Sequence, residues 1–136
     1  MTQTHPVIGF VGLGNIGGPM ARNIATKHAG DFIAFDANPA AFVALDGTKA
    51  RRSGSLAELA AQADIVFTSL PGSAQVESVC LGDSGLSGGA RQPAIIVDLS
   101  TITVAMARSV ATRLAGKAIA FADAPVARTV EAARRG

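Results

Sequence analysis

Cysteine is nearly missing from this chain, with Cys80 the only one in 136 residues. That excludes an intrachain disulfide, and no CxxC pair or Cys/His zinc spacing is present. A lone thiol suits a reducing compartment, so the cytoplasm is the expected location. Tryptophan and tyrosine are absent, and six phenylalanines supply the whole aromatic share of 4%. Surfaces on which bases could stack are therefore scarce. No Lys/Arg run is longer than the pairs Arg51-Arg52 and Arg134-Arg135, and the net charge is only +2. Nucleic acid is not an expected partner. Long apolar runs are lacking too. Gly, Asp or Ser interrupts each one short of the ~18 residues a membrane helix needs. The opening residues MTQTHP carry no basic segment of the kind a secretory signal has.

What the chain does have is apolar content, 49% of its residues, enough to build the core of one domain over residues 1–136. That content is organised as an alternation. Short apolar runs at Val7–Val11, Asp31–Phe35, Ile65–Leu70, Ala94–Leu99 and Ala118–Ala122, with a weaker one near Thr48–Arg52, read as strands. They are nearly continuous in apolar character, as strands buried on both faces of a parallel sheet are. Between them lie helix candidates at Ile16–Lys27, Pro39–Leu45, Leu56–Ala63, Ala74–Leu81 and Val104–Leu114. Pro39 suits a first helical turn, Ser55 with Glu58 suits an N-terminal cap, and Gly30 suits a C-terminal cap. The expected fold is α/β: a doubly wound, mainly parallel, Rossmann-type sheet built by right-handed crossovers. Gly82–Pro93 is the one long loop-like segment.

The strongest local motif is Gly12-Leu13-Gly14-Asn15-Ile16-Gly17, between the first strand and the first helix. A bare GxGxxG is weak evidence in a chain with 15 glycines, and a plain tight turn would explain it. Placed between strand and helix, it becomes a dinucleotide signature. Gly12 permits the turn, Gly14 lets a pyrophosphate approach the backbone, and Gly17 lets helix and strand pack closely. The helix N-terminus then receives the phosphates. Asp36 stands 19 residues after Gly17, at the end of the second strand candidate. It can accept hydrogen bonds from the adenosine ribose hydroxyls, and it would repel a 2′-phosphate. The next residue is Ala37 and not an arginine, so NAD is the expected cofactor. Capping of the helix at Pro39 is the plainer role for Asp36.

The segment Ile8–Asn23 resembles the opening of the β-hydroxyacid dehydrogenases, the 3-hydroxyisobutyrate and 6-phosphogluconate dehydrogenase superfamily, which reads G-[LM]-G-x-M-G-x-P-M-A-x-N there. Three further blocks follow in the family's order: Ser69-Leu70-Pro71, Val97–Ile102 and Phe121–Val126. The resemblance covers nearly the whole chain. It implies that Leu70 and Pro71 line the nicotinamide-side path, that Thr101 contacts the cofactor near the nicotinamide ribose, and that Gln75 belongs to the same loop. Taken singly, Leu70-Pro71 would read as a strand stop and Ser100-Thr101 as a helix cap. The resemblance also implies a helical C-terminal domain with a lysine general acid/base, after which complete members form homo-oligomers. Lys27, Lys49 and Lys117 do not match that lysine, so no catalytic residue is assigned and the chain alone is expected to be inactive. Where the family usually has Ser-Gly-Gly for the substrate carboxylate, this chain has Ala127, Arg128 and Thr129. That is closer to the Gly-Arg-Thr of the sulfolactaldehyde reductase branch, and it points to a small anionic substrate. Arg128 could instead neutralise Glu131 on the surface. The reading left open beside the oxidoreductase is a non-catalytic nucleotide-sensing module.

Overall fold

A computed structural model describes residues 4–126 and 129–136. The strands are β1 (Ile8–Val11), β2 (Phe32–Phe35), β3 (Arg51–Arg52), β4 (Ile65–Thr68), β5 (Ile95–Asp98) and β6 (Ala120–Asp123). They form one sheet in the order β3-β2-β1-β4-β5-β6, with every pair parallel. The order reverses at β1/β4, the switch point where an open α/β sheet binds its ligands. The helices are α1 (Gly17–Lys27), α2 (Leu56–Gln62), α3 (Ser73–Leu81), α4 (Val104–Ala115) and α5 (Val130–Arg135).

Strand alternation sends the two sides of the sheet into two cores. Val11, Ile33, Val66 and Ile96 point to one side, where they meet Leu59 of α2, Val76 and Cys80 of α3, and Val110 and Leu114 of α4. Ile8, Phe10, Phe32 and Ala34 point to the other, where Ala21 and Ala25 of α1 and Leu45 pack on them. Gly9 lies under α2 for want of room, since a Cβ there would stand 2.7 Å from a Leu59 methyl. Among the described residues no helix is long and apolar enough to cross a membrane.

The Ser55 cap forms as expected. Its hydroxyl accepts the Glu58 N–H at 3.0 Å, and the Glu58 carboxylate accepts the Gly54 N–H at 3.0 Å. Three expectations need correcting. Gly30 does not cap α1, which ends at Lys27 with His28 in extended conformation. Instead Gly30 is hemmed in by the His28 ring, His5 and the Pro6 carbonyl, each within 3.0 Å of where a Cβ would sit. Pro39–Leu45 winds as a 3-10 helix, with the side chain of Asn38, not Asp36, capping it at the Ala40 N–H. The last strand opens at Ala120 and not Ala118, because Ala118 turns through a left-handed conformation, φ 60°.

Candidate functional site

The C-terminal ends of β1, β2 and β4 enclose a groove of about 770 Å³. Its floor is the glycine turn: Gly12, Gly14, Asn15, Ile16 and Gly17 all line it. Gly12 adopts φ +99°, and a Cβ there would lie 2.0 Å from the Ser69 carbonyl oxygen; at Gly17 it would lie 2.1 Å from the Gly12 carbonyl oxygen. Those two positions are glycine because the protein packs onto them. Gly14 is different. Nothing in the protein comes within 4 Å of a Cβ built there, so its own fold does not demand a glycine. The bare backbone faces the groove, and a ligand that must approach the chain closely explains it. Next to it, the N–H groups of Asn15 and Ile16 donate to no protein acceptor among the described residues. Ile16 precedes α1 without any side-chain cap, and the first turn carries no acidic residue. The helix end therefore keeps its donors and its partial positive charge available to an anion.

Asp36 lines one side of this groove with Ala37. Its Oδ2 accepts the Leu13 N–H at 2.7 Å and its Oδ1 accepts the Asn38 N–H at 2.8 Å. The carboxylate thus ties the glycine turn to the end of β2, a structural task the sequence did not reveal. Each oxygen retains a lone pair that a ribose hydroxyl can use. Two arginines on neighbouring elements make contacts of their own. Arg52 lies over the Phe42 ring, 4.4 Å from its centroid, and Arg22 donates to the carbonyls of Ala44 and Asp46.

Leu70, Pro71 and Gln75 line the opposite wall. Leu13 does not; it is 4% exposed and packs into the core below. Thr101 is exposed in the loop after β5 and is not among the groove residues. The cap of α4 is Thr103, whose hydroxyl accepts the Met106 N–H at 3.1 Å. That leaves the Ser100 hydroxyl to accept the Leu70 N–H at 2.8 Å. Ala74, Ser78 and Val79 complete the wall with Gln75. They were missed, although their spacing on the expected helix Ala74–Leu81 puts them on one face with Gln75.

Ala127 and Arg128 lie outside the described residues. Thr129 is not in the groove. Its hydroxyl accepts the Ala132 N–H of α5 at 3.4 Å, and the residue lines a separate apolar trough of about 650 Å³ between α1 and α5. Glu131 pairs with Arg135 at 3.3 Å. Cys80 is on the buried face of α3, and burial foremost, with the negative charge of Asp98 second, pushes its thiol up to about 12. It is a core residue and not a nucleophile.

Fold and groove together define a class, the doubly wound α/β domain of the dinucleotide-binding kind. Comparison with known proteins narrows it. The profile described as the NAD binding domain of 6-phosphogluconate dehydrogenase matches residues 7–136, and the chain belongs to that family. The 3-hydroxyisobutyrate dehydrogenase of Pseudomonas aeruginosa is 39% identical over 129 residues, covering 95% of this chain and 43% of the relative. The 2-(hydroxymethyl)glutarate dehydrogenase of Eubacterium barkeri is 39% identical over 132 residues, covering 95% and 42%. The solved structure of Mycobacterium tuberculosis 3-hydroxyisobutyrate dehydrogenase with L-serine superposes with a TM-score of 0.84 at 32% identity, covering 97% and 44%. The chain spans about two-fifths of the length of the curated relatives it matches.

Proposed function

We propose that the chain binds NAD(H) in the glycine groove and is the cofactor-binding domain of an oxidoreductase. The reaction it serves moves a hydride between nicotinamide and a small anionic β-hydroxyacid or the related aldehyde. When bound, the nicotinamide accepts or supplies the hydride. The observation that carries this reading is Gly14: a glycine the protein's own packing does not need, facing a groove beside free backbone donors.

In this reading the N–H groups of Gly14, Asn15 and Ile16 hold the pyrophosphate. Asp36 accepts from the adenosine ribose, and Ala74, Gln75 and Ser78 flank the cofactor opposite it. Leu70 and Pro71 lead to the nicotinamide end, with Thr101 in the adjoining loop near the nicotinamide ribose. Residues Ala127–Thr129 are the proposed substrate segment. The Arg128 guanidinium has the forked donors that suit a carboxylate or sulfonate, in keeping with the sulfolactaldehyde reductase branch. We place the protein in the cytoplasm on the strength of its single, unpaired thiol. Homo-oligomerisation is proposed for a complete enzyme only.

Asp36 makes NAD(H) the preferred cofactor. Its carboxylate would repel a 2′-phosphate, and Arg52, on the neighbouring strand, stacks on the Phe42 ring. Calorimetric titration of the chain with NADH and NADPH decides the point. NADH is expected to bind at least about tenfold more tightly, a difference of roughly 1.4 kcal/mol. Tighter NADPH binding would overturn the assignment of Asp36.

A further inference from the structure

Asp98 ends β5 with no solvent exposure (0%). Its Oδ1 accepts the Thr68 hydroxyl at 2.8 Å and the Ser100 N–H at 3.2 Å. Its Oδ2 is buried with no hydrogen-bond partner among the described residues. A carboxyl group so enclosed is a costly way to fill space, and an apolar side chain would serve core packing better. Its use becomes visible one bond further on. Ser100, itself 4% exposed, accepts the Leu70 N–H with its hydroxyl at 2.8 Å. The residue before Leu70 is Ser69, whose carbonyl fits against Gly12 and whose Cβ fits against Gly17. The Leu99 N–H reaches the Thr68 carbonyl, and the Ala124 N–H reaches the carbonyl of Asp98, both at 2.8 Å. One buried side chain thus joins the ends of β4 and β5, and its backbone joins β6. Leu70 is seated on that junction.

We infer that Asp98 is a positioning residue for the dinucleotide: through Thr68 and Ser100 it fixes the Ser69–Pro71 wall of the groove without touching the ligand. The inference rests on the dinucleotide reading given above. Only Oδ1 carries the task, since both donors converge on it. An amide oxygen can accept the same two bonds, so Asp98→Asn should preserve the function and Asp98→Ala should not. Ser100→Ala cuts the last link alone and leaves the buried Thr68–Asp98 pair in place.

The test is titration of the wild type and of D98A, D98N and S100A with NADH and with ADP, which lacks the nicotinamide half, alongside thermal melting. D98A and S100A are expected to weaken NADH binding about tenfold, with ADP binding changed by less than about threefold. D98N is expected to restore NADH binding to within about threefold of the wild type. If D98A fails to fold, S100A decides. The inference is overturned if S100A binds NADH as the wild type does. It is equally overturned if NADH and ADP affinities fall together with the melting temperature, or if D98N loses as much as D98A. A wild type that binds neither NADH nor ADP would instead sink the dinucleotide reading, and this inference with it.

Discussion

Gly12 and Gly14 sit two residues apart in one turn, yet their side chains are missing for different reasons. At Gly12 the left-handed backbone and the Ser69 carbonyl leave no room for a Cβ. Gly12→Ala is therefore expected to destabilise the chain by about 1–3 kcal/mol or more, from backbone strain alone, and to lower its melting temperature. At Gly14 the space is open and φ is not left-handed. Gly14→Ala should melt with the wild type and yet weaken NADH about tenfold or more, because its methyl group occupies the pyrophosphate's approach. Melting curves and NADH titrations on the pair separate folding from binding. A Gly14→Ala chain that binds NADH normally would mean that this glycine has no ligand to accommodate. Asp36 also has a double role, joining Leu13 to Asn38 while facing the groove. The sequence could not show the first part, because a bond between residues 23 apart in the chain has no local pattern.

At the scale of elements, β1, β2, β4 and β5 were legible because their faces are buried or half-buried, which makes each a short apolar run regardless of alternation. The edge strands β3 and β6 carry exposed residues and a weaker signal. Helices with end signals were equally legible: α2 begins where Ser55 and Glu58 place it. The errors fell where tertiary contact overrides local preference. Gly30 looked like a helix cap but is glycine because His5, His28 and Pro6 crowd it. Thr129 caps α5 and lines the other trough, and its proposed substrate role rests on the family resemblance alone. The α3 helix carries a prediction of its own. Cys80 lies within it, with its thiol pushed up to about 12. Once unfolded, the same thiol loses its proton near 9.0. Between those values the unfolded chain binds fewer protons than the folded one, so stability should fall as pH rises through that window. Cys80→Ser or Cys80→Ala should remove this part of the alkaline loss, as read from denaturant midpoints between pH 9.0 and about 12, the span of that shift. An unchanged slope in either variant would show that the buried thiol plays no part in it.

At the scale of the whole molecule, the groove holds few groups that could move a proton. Asp36 is the one ionisable side chain among the described residues that line it. Lys117 donates to the Ser87 carbonyl, Lys49 to the carbonyl of His28, and Lys27 lines the other trough. With NAD and a panel of small hydroxyacids, the 136-residue chain is expected to show no turnover above background, since losing a general acid or base costs roughly 10²–10⁴-fold. Robust turnover would place a proton-transfer group within these residues. The central claim, however, is about location. Among the described residues, cavities of similar size lie at the glycine turn and between α1 and α5. Backbone amide shifts recorded during NADH titration distinguish them directly. The expected result is shifts at Gly14, Asn15, Ala37, Leu70 and Gln75, with Asn23, Lys27 and Ala133 unmoved. Shifts confined to the α1–α5 trough, or none at saturating NADH, would contradict the assignment of the glycine groove as the dinucleotide site.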